Sequence, residues 1–392
     1  MVIGGLYLSL FRQMNPSTTY RNNFGLLRLA FATMVVLSHA PELVDGNRSR
    51  ELLTRLFGTL SFGEVGVDGF FLISGYLITK SFDRSSGVFD YLKKRVARIY
   101  PAFIAATLVS IVTFTPLSGI RLSQLGIWDW ALTVKNVILL QPPSVPAFPG
   151  THYPALNGSM WTIAYEFRCY LLLAVIGLLG ALRRREFILA VGVVFVLMLA
   201  AKAPTPFPPS DVFYGNPSET IRMTTAFLVG SIFYLFRDVI HYQAAYAVFC
   251  AAVLTLCMFV PHVAEPALFI FGGYLIFWVA FVVPATLFSR LTTSHDVSYG
   301  LYLYAWPIQS TFVFFRPGLS PWKMFFASLF ASMICGLISW LLIEKPVLAW
   351  AHRIRTSEPR NARDPVSSTR SEAPWLTTEN EVRNEAIGPA SN

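Results

Sequence analysis

An arginine and a histidine lie in the first long apolar segment of the chain, GLLRLAFATMVVLSHAPEL (residues 25–43). Ionisable groups inside a membrane span are costly and usually have a function. Arg28 and His39 are eleven residues apart, so a helix brings them within about 20° of one face and roughly 16 Å apart along its axis. This spacing predicts a path with a cation at its inner end and a titratable base at its outer end. An Arg28 that reaches the inner interface and a His39 in the outer headgroup zone would explain the pattern equally well.

Two acidic residues are predicted at the depth of His39. Asp68, in GEVGVDGFFLISGYLIT, and Glu166, in NGSMWTIAYEFRCYLLL, each lie about two turns below the outer end of an inward-running helix. A carboxylate can orient a catalytic histidine, so His39, Asp68 and Glu166 are candidate catalytic residues. The alternatives are structural: Glu166 could pair with Arg168 or Arg222. For Asp68 we favour a role in holding a neighbouring helix or in orienting the histidine.

A basic cluster begins the third apolar segment, in YLKKRVARIYP. Arg95 and Arg98 are three residues apart and share a helix face, and such a pair can bind phosphates through charge-assisted hydrogen bonds. With Arg28 at the same level, the three arginines form a candidate pocket for an anionic cytoplasmic cofactor. Taken alone, the cluster is better explained as the usual excess of basic residues on the cytoplasmic side. Glu344, in LIEKPV, could pair with this basic layer or simply end its helix.

Aromatic residues accompany these groups in two motifs. Trp161 and Tyr165 lie in the fourth apolar segment, and Tyr302 and Trp306 lie in DVSYGLYLYAWPIQ, where Pro307 interrupts helical hydrogen bonding. The four aromatic residues are candidates for lining a substrate path. Packing and an interfacial aromatic belt are the more common roles of such residues.

The elements that position these residues are apolar segments of membrane-spanning length. The 392-residue chain is 54% hydrophobic and only 14% charged, whereas soluble domains are about 25% charged. A span needs about 20 mostly apolar residues. The segments that qualify are residues 24–43, 61–81, 97–116, 160–182, 186–203, 220–237, 241–260, 265–288, 298–316 and 322–344. The sequence therefore predicts an all-α polytopic membrane protein with about ten transmembrane helices.

The distribution of basic residues predicts the orientation. With the N-terminus in the cytoplasm, 20 of the 31 Lys and Arg residues fall on the cytoplasmic side, 8 on the opposite side and 3 within spans. Positive residues favour the cytoplasmic side, so we expect both termini there, as an even number of spans requires. The net charge of +9 is then a topology signal. Binding of nucleic acid is not expected, because it would need a basic face on a soluble module.

Three regions are predicted along the chain. They are a cytoplasmic N-terminal segment, 1–23, a membrane domain, 24–350, with a periplasmic loop at 117–159, and a disordered cytoplasmic tail, 351–392, too polar to form a core. No internal repeat is evident, and this argues against a transporter built from inverted repeats. The four cysteines lie in apolar runs without metal-ligand or redox spacing, and we expect no metal site.

The ordered set of motifs resembles the membrane-bound acyltransferase-3 family. The matching features are the spacing of Arg28 and His39, GVDGFFLISGYLIT, KRVARIYP, NGSMWTIAYEFRCY, SYGLYLYAWPI and EKP, over roughly residues 20–350. The resemblance implies O-acylation, most often O-acetylation, of bacterial surface glycans, glycolipids and some antibiotics. It implies cytoplasmic acyl-CoA as the donor and an acceptor that is often outside.

The resemblance also implies roles for individual residues. Arg28 and His39 match the family's required arginine and histidine, while Arg95 and Arg98 match its pair on the acyl-CoA side. Tyr165 matches the aromatic residue of an aromatic–acidic pair, with the next residue as its acid. Some members carry a fused periplasmic esterase-like domain; we expect this chain to act without one, alone or with a separate periplasmic partner.

These observations predict an O-acyltransferase, specifically an O-acetyltransferase, that spans a bacterial inner membrane. It would move an acyl group from acetyl-CoA, or another acyl-CoA, to a hydroxyl of a surface polysaccharide, lipopolysaccharide or other glycoconjugate. His39 would act as a general base or as a covalent acyl carrier, oriented by Glu166 or Asp68. The alternatives are a transporter or flippase of a glycan-lipid or small anionic solute, which would also use intramembrane ionisable residues, and a polysaccharide polymerase or ligase.

Overall fold

The computed structural model describes residues 22–202, 216–286, 289, 292 and 296–357, with the backbone alone for residues 352–357. The chain divides into a unit that ends at Ala351 and a second unit, His352–Asn392. The predicted N-terminal segment up to residue 21 and the predicted disordered tail beyond residue 357 lie outside the described residues.

The described residues are helical and contain no strand, apart from one isolated bridge between Pro146 and Ala155. In chain order the helices are α1 (Phe24–Asp45), α2 (Leu52–Phe57), α3 (Phe62–Asp83), α4 (Val88–Val109), α5 (Ile127–Ile138), α6 (Trp161–Leu178), α7 (Arg185–Ala200), α8 (Pro217–Leu235), α9 (Ala244–Cys257), α10 (Ala264–Phe281), α11 (Ser298–Phe315) and α12 (Pro321–Ser339). π-Helical turns extend α4 through Ser110–Phe114 and α12 through Trp340–Glu344, which leads into a last helix, Lys345–Ser357. The predicted all-α class is confirmed.

Within the described part of the chain, six helices are long and apolar enough to cross a membrane. They are α1, α3, Val88–Leu117, Gly158–Leu178, α10 and Pro321–Ala351. α8 and α11 have 19 and 18 residues, most of them buried, but their hydropathy places them outside these six. α7 and α9 are shorter, with 16 and 14 residues. Each predicted span coincides with a helix, while the count of ten crossings and the orientation stay predictions.

Glycines allow α3 and α8 to pack backbone against backbone. A Cβ atom on Gly75 would lie 2.0 Å from the carbonyl oxygen of Phe227, and one on Gly230 would lie 2.0 Å from that of Leu72. Only a residue without a side chain permits such an approach. The pair fixes α3, which carries much of the candidate site, against the interior of the helix bundle.

α1 and α11 run parallel and in register. Arg28, near the start of α1, contacts Asp296 immediately before α11. Further along both helices, the ring of His39 contacts that of Trp306. The same two helices therefore carry both ends of the predicted path.

Candidate active site

A cavity among α1, α3, α4, α6 and α11 brings together several of the predicted residues. It holds about 930 Å³ of empty space, part of it open to solvent. Its charged lining residues are Arg28, Arg95, Arg98 and Glu166, and Tyr302 is among its aromatic ones. Much of the remaining wall is apolar and comes from α3. The three arginines of the predicted cofactor pocket thus line one cavity.

Buried carboxylates hold two of these arginines. One oxygen of Asp296 lies 3.1 Å from Arg28 and 2.6 Å from Arg98. Glu344, at the end of a π-helical turn, lies 2.9 Å from another nitrogen of Arg98, as considered from the sequence. Burial alone would raise the pKa of Asp296, but the charges of Arg28 and Arg98 outweigh it and hold the pKa at about 2. Asp296 is therefore ionised at neutral pH.

Arg95 is held differently. Its guanidinium donates a 3.3 Å hydrogen bond to Ser81 Oγ and lies 5.9 and 5.8 Å from the ring centroids of Tyr91 and Tyr170. Aromatic rings orient a guanidinium without neutralising its charge. No carboxylate in the described part of the chain forms an ion pair with Arg95. Among the arginines that line the cavity, Arg95 is therefore the one without a carboxylate ion pair in the described part of the chain.

Glu166 lies on the cavity wall. It accepts hydrogen bonds from Ser74 Oγ at 3.0 Å and from the Tyr170 hydroxyl at 2.5 Å. Glu166 does not form the ion pair with Arg168 that was the structural alternative. The Arg168 guanidinium instead packs 5.1 Å from the ring centroid of Tyr165. Glu166 thus belongs to the cavity and not to an arginine pair.

His39 lies outside this cavity, and its carboxylate partner is Glu42. His39 Nδ1 is 2.8 Å from Glu42 Oε2, and Arg48 donates to the same oxygen at 3.0 Å. The imidazole packs edge-to-face on Trp306 with ring centroids 4.9 Å apart. Residues three apart share a helix face, so α1 itself supplies both members of this pair.

Asp68 and Glu166, the carboxylates expected to orient His39, have other partners in the structure. Asp68 is fully buried and lies 3.0 Å from Arg222. Arg222 also binds Glu219 at 3.2 Å and Glu265 at 2.5 Å, which joins α3, α8 and α10. Asp68 therefore takes the helix-holding position considered from the sequence.

The aromatic residues predicted to line a path divide into two pairs. Tyr302 lines the cavity, and Trp306, one turn later on α11, contacts His39. Trp161 and Tyr165 pack edge-to-face with centroids 5.4 Å apart and do not line the cavity. One face of α11 therefore leads from the cavity to His39.

Pro307 frees a backbone carbonyl that anchors the segment before α6. A proline has no N–H, so the carbonyl of Leu303 lacks its helical donor. The fully buried Asn157 donates to that carbonyl at 2.8 Å, and the Trp306 indole donates to the carbonyl of Ala155 at 3.1 Å. The loop thus docks on α11 beside Trp306.

Two residues of the site, Glu42 and Asp296, were missed from the sequence. Glu42 lies three positions after His39, so the same helical spacing that linked Arg28 to His39 would have found it. Asp296 gave no local signal, because its contacts with α1 and α4 depend on tertiary packing.

Comparisons with known proteins identify the family of the chain. The model of the acyltransferase-3 family, described as an acyltransferase domain, matches residues 21–344. An "O-acetyl transferase" of Shigella phage Sf6 is 25% identical over 342 residues, 83% of this chain and 96% of that protein. "Nodulation protein 10" of Rhizobium leguminosarum bv. viciae is 27% identical over 370 residues, 87% of this chain and 96% of that protein.

A third relative is longer than this chain. The "O-acetyltransferase OatA" of Staphylococcus aureus (strain NCTC 8325 / PS 47) is 25% identical over 329 residues, 74% of this chain and 53% of that protein. No solved structure matches the chain significantly. The family match covers nearly all the helices described above, including both ends of the α1–α11 pair. The chain belongs to the acyltransferase-3 family and is a multi-pass membrane acyltransferase.

Proposed function

We propose that the protein is an O-acetyltransferase of a bacterial inner membrane. It takes an acetyl group from cytoplasmic acetyl-CoA, or a related acyl group from another acyl-CoA. The acceptor is a hydroxyl of a surface polysaccharide, lipopolysaccharide or other glycoconjugate. One observation carries the proposal: the α1–α11 pair holds an arginine-lined cavity at one end and a carboxylate-bound histidine at the other. The relatives named as O-acetyltransferases support the acetyl group.

The donor binds with its phosphates at the arginines. Guanidinium groups bind phosphate oxygens through paired charge-assisted hydrogen bonds. Arg95 makes the main contact because no described carboxylate neutralises it, and Arg28 and Arg98 add their remaining N–H donors. The pantetheine arm lies along the apolar wall of α3, with Glu166 and Tyr302 beside its thioester end.

The acceptor reacts beside His39. A hydroxyl is a poor nucleophile at neutral pH, and histidine as a residue type titrates close to neutrality. His39 removes the hydroxyl proton while the hydroxyl oxygen attacks the thioester carbonyl. The C–S bond breaks, and the CoA thiolate leaves and takes up a proton. In the alternative route the imidazole first takes the acyl group and then passes it to the hydroxyl. In either route Glu42 holds Nδ1, so that Nε2 is the reacting nitrogen.

The first experiment tests the histidine. His39→Ala and His39→Gln should abolish acetyl-CoA consumption in membranes that contain the acceptor, while the protein stays folded and membrane-inserted. His262→Ala removes an exposed histidine and is the matched control, with activity unchanged. Release of the CoA thiol measures the reaction. Activity at the wild-type level in both His39 variants would contradict the proposed role of His39.

The second experiment tests the donor site. Arg95→Gln should raise the KM for acetyl-CoA by about tenfold or more, the usual worth of a hydrogen bond to a charged group, with little change in kcat. Lys93→Gln is the control, because Lys93 lies on the same helix but outside the cavity. An unchanged KM for Arg95→Gln would contradict the donor site and indicate that the basic cluster only sets the membrane topology.

Family membership favours group transfer over the alternative of a transporter or flippase. The two functions differ in one measurable product. A transporter of a glycan-lipid or small anion releases no CoA from acetyl-CoA, so the same thiol assay separates them. Both termini are expected in the cytoplasm, which puts the arginine-lined cavity on the donor side.

A further inference from the structure

We infer that Asp296 is a positioning residue of the donor site, holding Arg28 and Arg98 together so that both guanidinium groups face the cavity. The inference rests on the proposed acyl-CoA site. It concerns a residue that lies outside the arginine motifs and precedes α11. Arg28 comes from α1 and Arg98 from α4, so Asp296 joins three separate segments of the chain.

Both carboxylate oxygens of Asp296 make polar contacts. Oδ2 lies 3.1 Å from Arg28 and 2.6 Å from Arg98. Oδ1 accepts a 2.5 Å hydrogen bond from Ser298 Oγ in the first turn of α11. The side chain is only 11% exposed. Its orientation is thereby fixed, and so are the directions from which the two arginines approach it.

A helix-capping role does not account for this arrangement. A carboxylate before a helix commonly accepts hydrogen bonds from the first turn, but the N-cap residue of α11 is Val297, which makes no side-chain capping hydrogen bond, and Oδ1 of Asp296 accepts from the Ser298 hydroxyl. Oδ2 is left entirely to the arginines. In Asp296→Asn the amide oxygen can still accept from Ser298, while the negative charge is lost and an amide NH₂, a donor, replaces the oxygen that the arginines bind.

The charges explain why a carboxylate is needed here. Arg28 and Arg98 converge on a single oxygen atom, and two such cations close together repel one another unless an anion lies between them. Asp296 pairs with both Arg28 and Arg98, and Glu344 pairs with Arg98, so Arg95 is the arginine of the described cavity wall without a carboxylate ion pair. Arg28 also keeps a buried Nε that has no hydrogen-bond partner among the described residues. The cluster therefore stays compact and keeps the guanidinium of Arg95 and further N–H donors for an anion.

The test is a split between KM and kcat in the full-length protein. Asp296→Asn should raise the KM for acetyl-CoA about tenfold, the worth of one charge-assisted contact, with kcat within about twofold of wild type. Asp296→Glu restores the charge and should recover KM to within about threefold. The control is Asp90→Asn, which removes a carboxylate in the first turn of α4 that pairs with Lys94. It should leave KM and kcat unchanged.

Two results would overturn the inference. A lower KM in Asp296→Asn means that the carboxylate competes with the donor for the arginines. A loss of kcat at unchanged KM means that Asp296 acts elsewhere than in donor binding. If Asp296→Asn fails to fold, Ser298→Ala replaces it, since it frees Oδ1 and should raise KM about threefold at unchanged kcat; an unchanged KM there also overturns the inference.

A second readout separates this inference from the proposed function. Free CoA should raise the melting temperature of the detergent-solubilised wild type, and Asp296→Asn should need about ten times more CoA for the same shift. A wild type that consumes no acetyl-CoA and is not stabilised by CoA refutes the proposed function and this inference with it. A wild type that does both, with Asp296→Asn identical to it, refutes this inference alone.

Discussion

At the scale of single residues, Glu42 holds one ring nitrogen of His39. A histidine can present either ring nitrogen to a substrate, and the partner of the other nitrogen decides which. Glu42 binds Nδ1 and is itself held by Arg48. The edge of the ring also packs on Trp306. The imidazole is thus fixed in position before an acceptor arrives.

We predict that Glu42→Gln lowers kcat by about 10- to 100-fold, less than the loss of a general base itself, and leaves the KM for acetyl-CoA unchanged. The neutral amide can hold the ring but can also offer it an N–H, which allows the wrong ring nitrogen to face the acceptor. Steady-state kinetics of the thiol-release assay measure both constants. Asp45→Asn, which disrupts only the exposed pair with Arg50, is the control. A changed KM for acetyl-CoA with normal kcat would indicate that Glu42 acts in donor binding and not on His39.

Sequence spacing predicted which basic residues meet, but not what they bind. Arg95 and Arg98 share a face by helical period, and Arg28 was matched to them by depth alone; all three line one cavity. Asp296, which binds two of them, is separated from them by most of the chain. Contacts of that range depend on how α1, α4 and α11 pack, and no local pattern in the sequence contains that information.

At the scale of helices, the interaction between Asn157 and α11 supports the His39 end of the site. Pro307 leaves the carbonyl of Leu303 without a helical donor, and the Asn157 side chain supplies one. A buried carbonyl that loses its only donor costs about 1–3 kcal/mol. The Trp306 indole on the same stretch then binds the neighbouring loop backbone.

We predict that Asn157→Ala lowers the stability of the solubilised protein by about 1–3 kcal/mol, seen as a lower melting temperature. The double variant Asn157→Ala, Pro307→Ala should recover part of this loss, because an alanine N–H can bond the Leu303 carbonyl within the helix. Asn47→Ala, at an exposed turn, serves as the control. A double variant no more stable than Asn157→Ala alone would contradict the account.

All ten predicted spans coincide with helices, including two that carry buried polar side chains. α8 carries Arg222 and α11 carries Gln309, yet both side chains are buried. A helix surrounded by other helices can satisfy polar side chains with protein partners, so its sequence need not be uniformly apolar. Both helices match predicted spans, although they are not among the six that are long and apolar enough to cross a membrane.

At the scale of the whole molecule, the directions of packed helices bear on the number of crossings. In a ten-span protein, spans of the same parity run parallel. α1 and α11, the first and ninth predicted spans, are parallel. α3 and α8, the second and sixth, are also parallel, because both ends of one approach the corresponding ends of the other. These directions support a crossing by α8 and α11, in addition to the six helices that are long and apolar enough to span a membrane.

We predict that the turn before α4 and the loop before α5 lie on opposite sides of the membrane. Gly87→Cys and Gly126→Cys introduce thiols at exposed sites without a close contact. A membrane-impermeant maleimide should label Gly126→Cys in right-side-out vesicles and Gly87→Cys only in inverted ones. The unmodified protein measures labelling of its four native cysteines. Labelling of both sites from one side would contradict the predicted topology.

The in-register pairing of α1 and α11 has an energetic consequence. If the acyl group follows the proposed path, both ends of that path belong to one packed pair of helices, and transfer needs no exchange of the protein between inward-open and outward-open states. Under that proposal the thioester bond supplies the free energy of transfer. The proposed reaction then needs no electrochemical gradient, and the membrane can stay sealed to ions during a turnover.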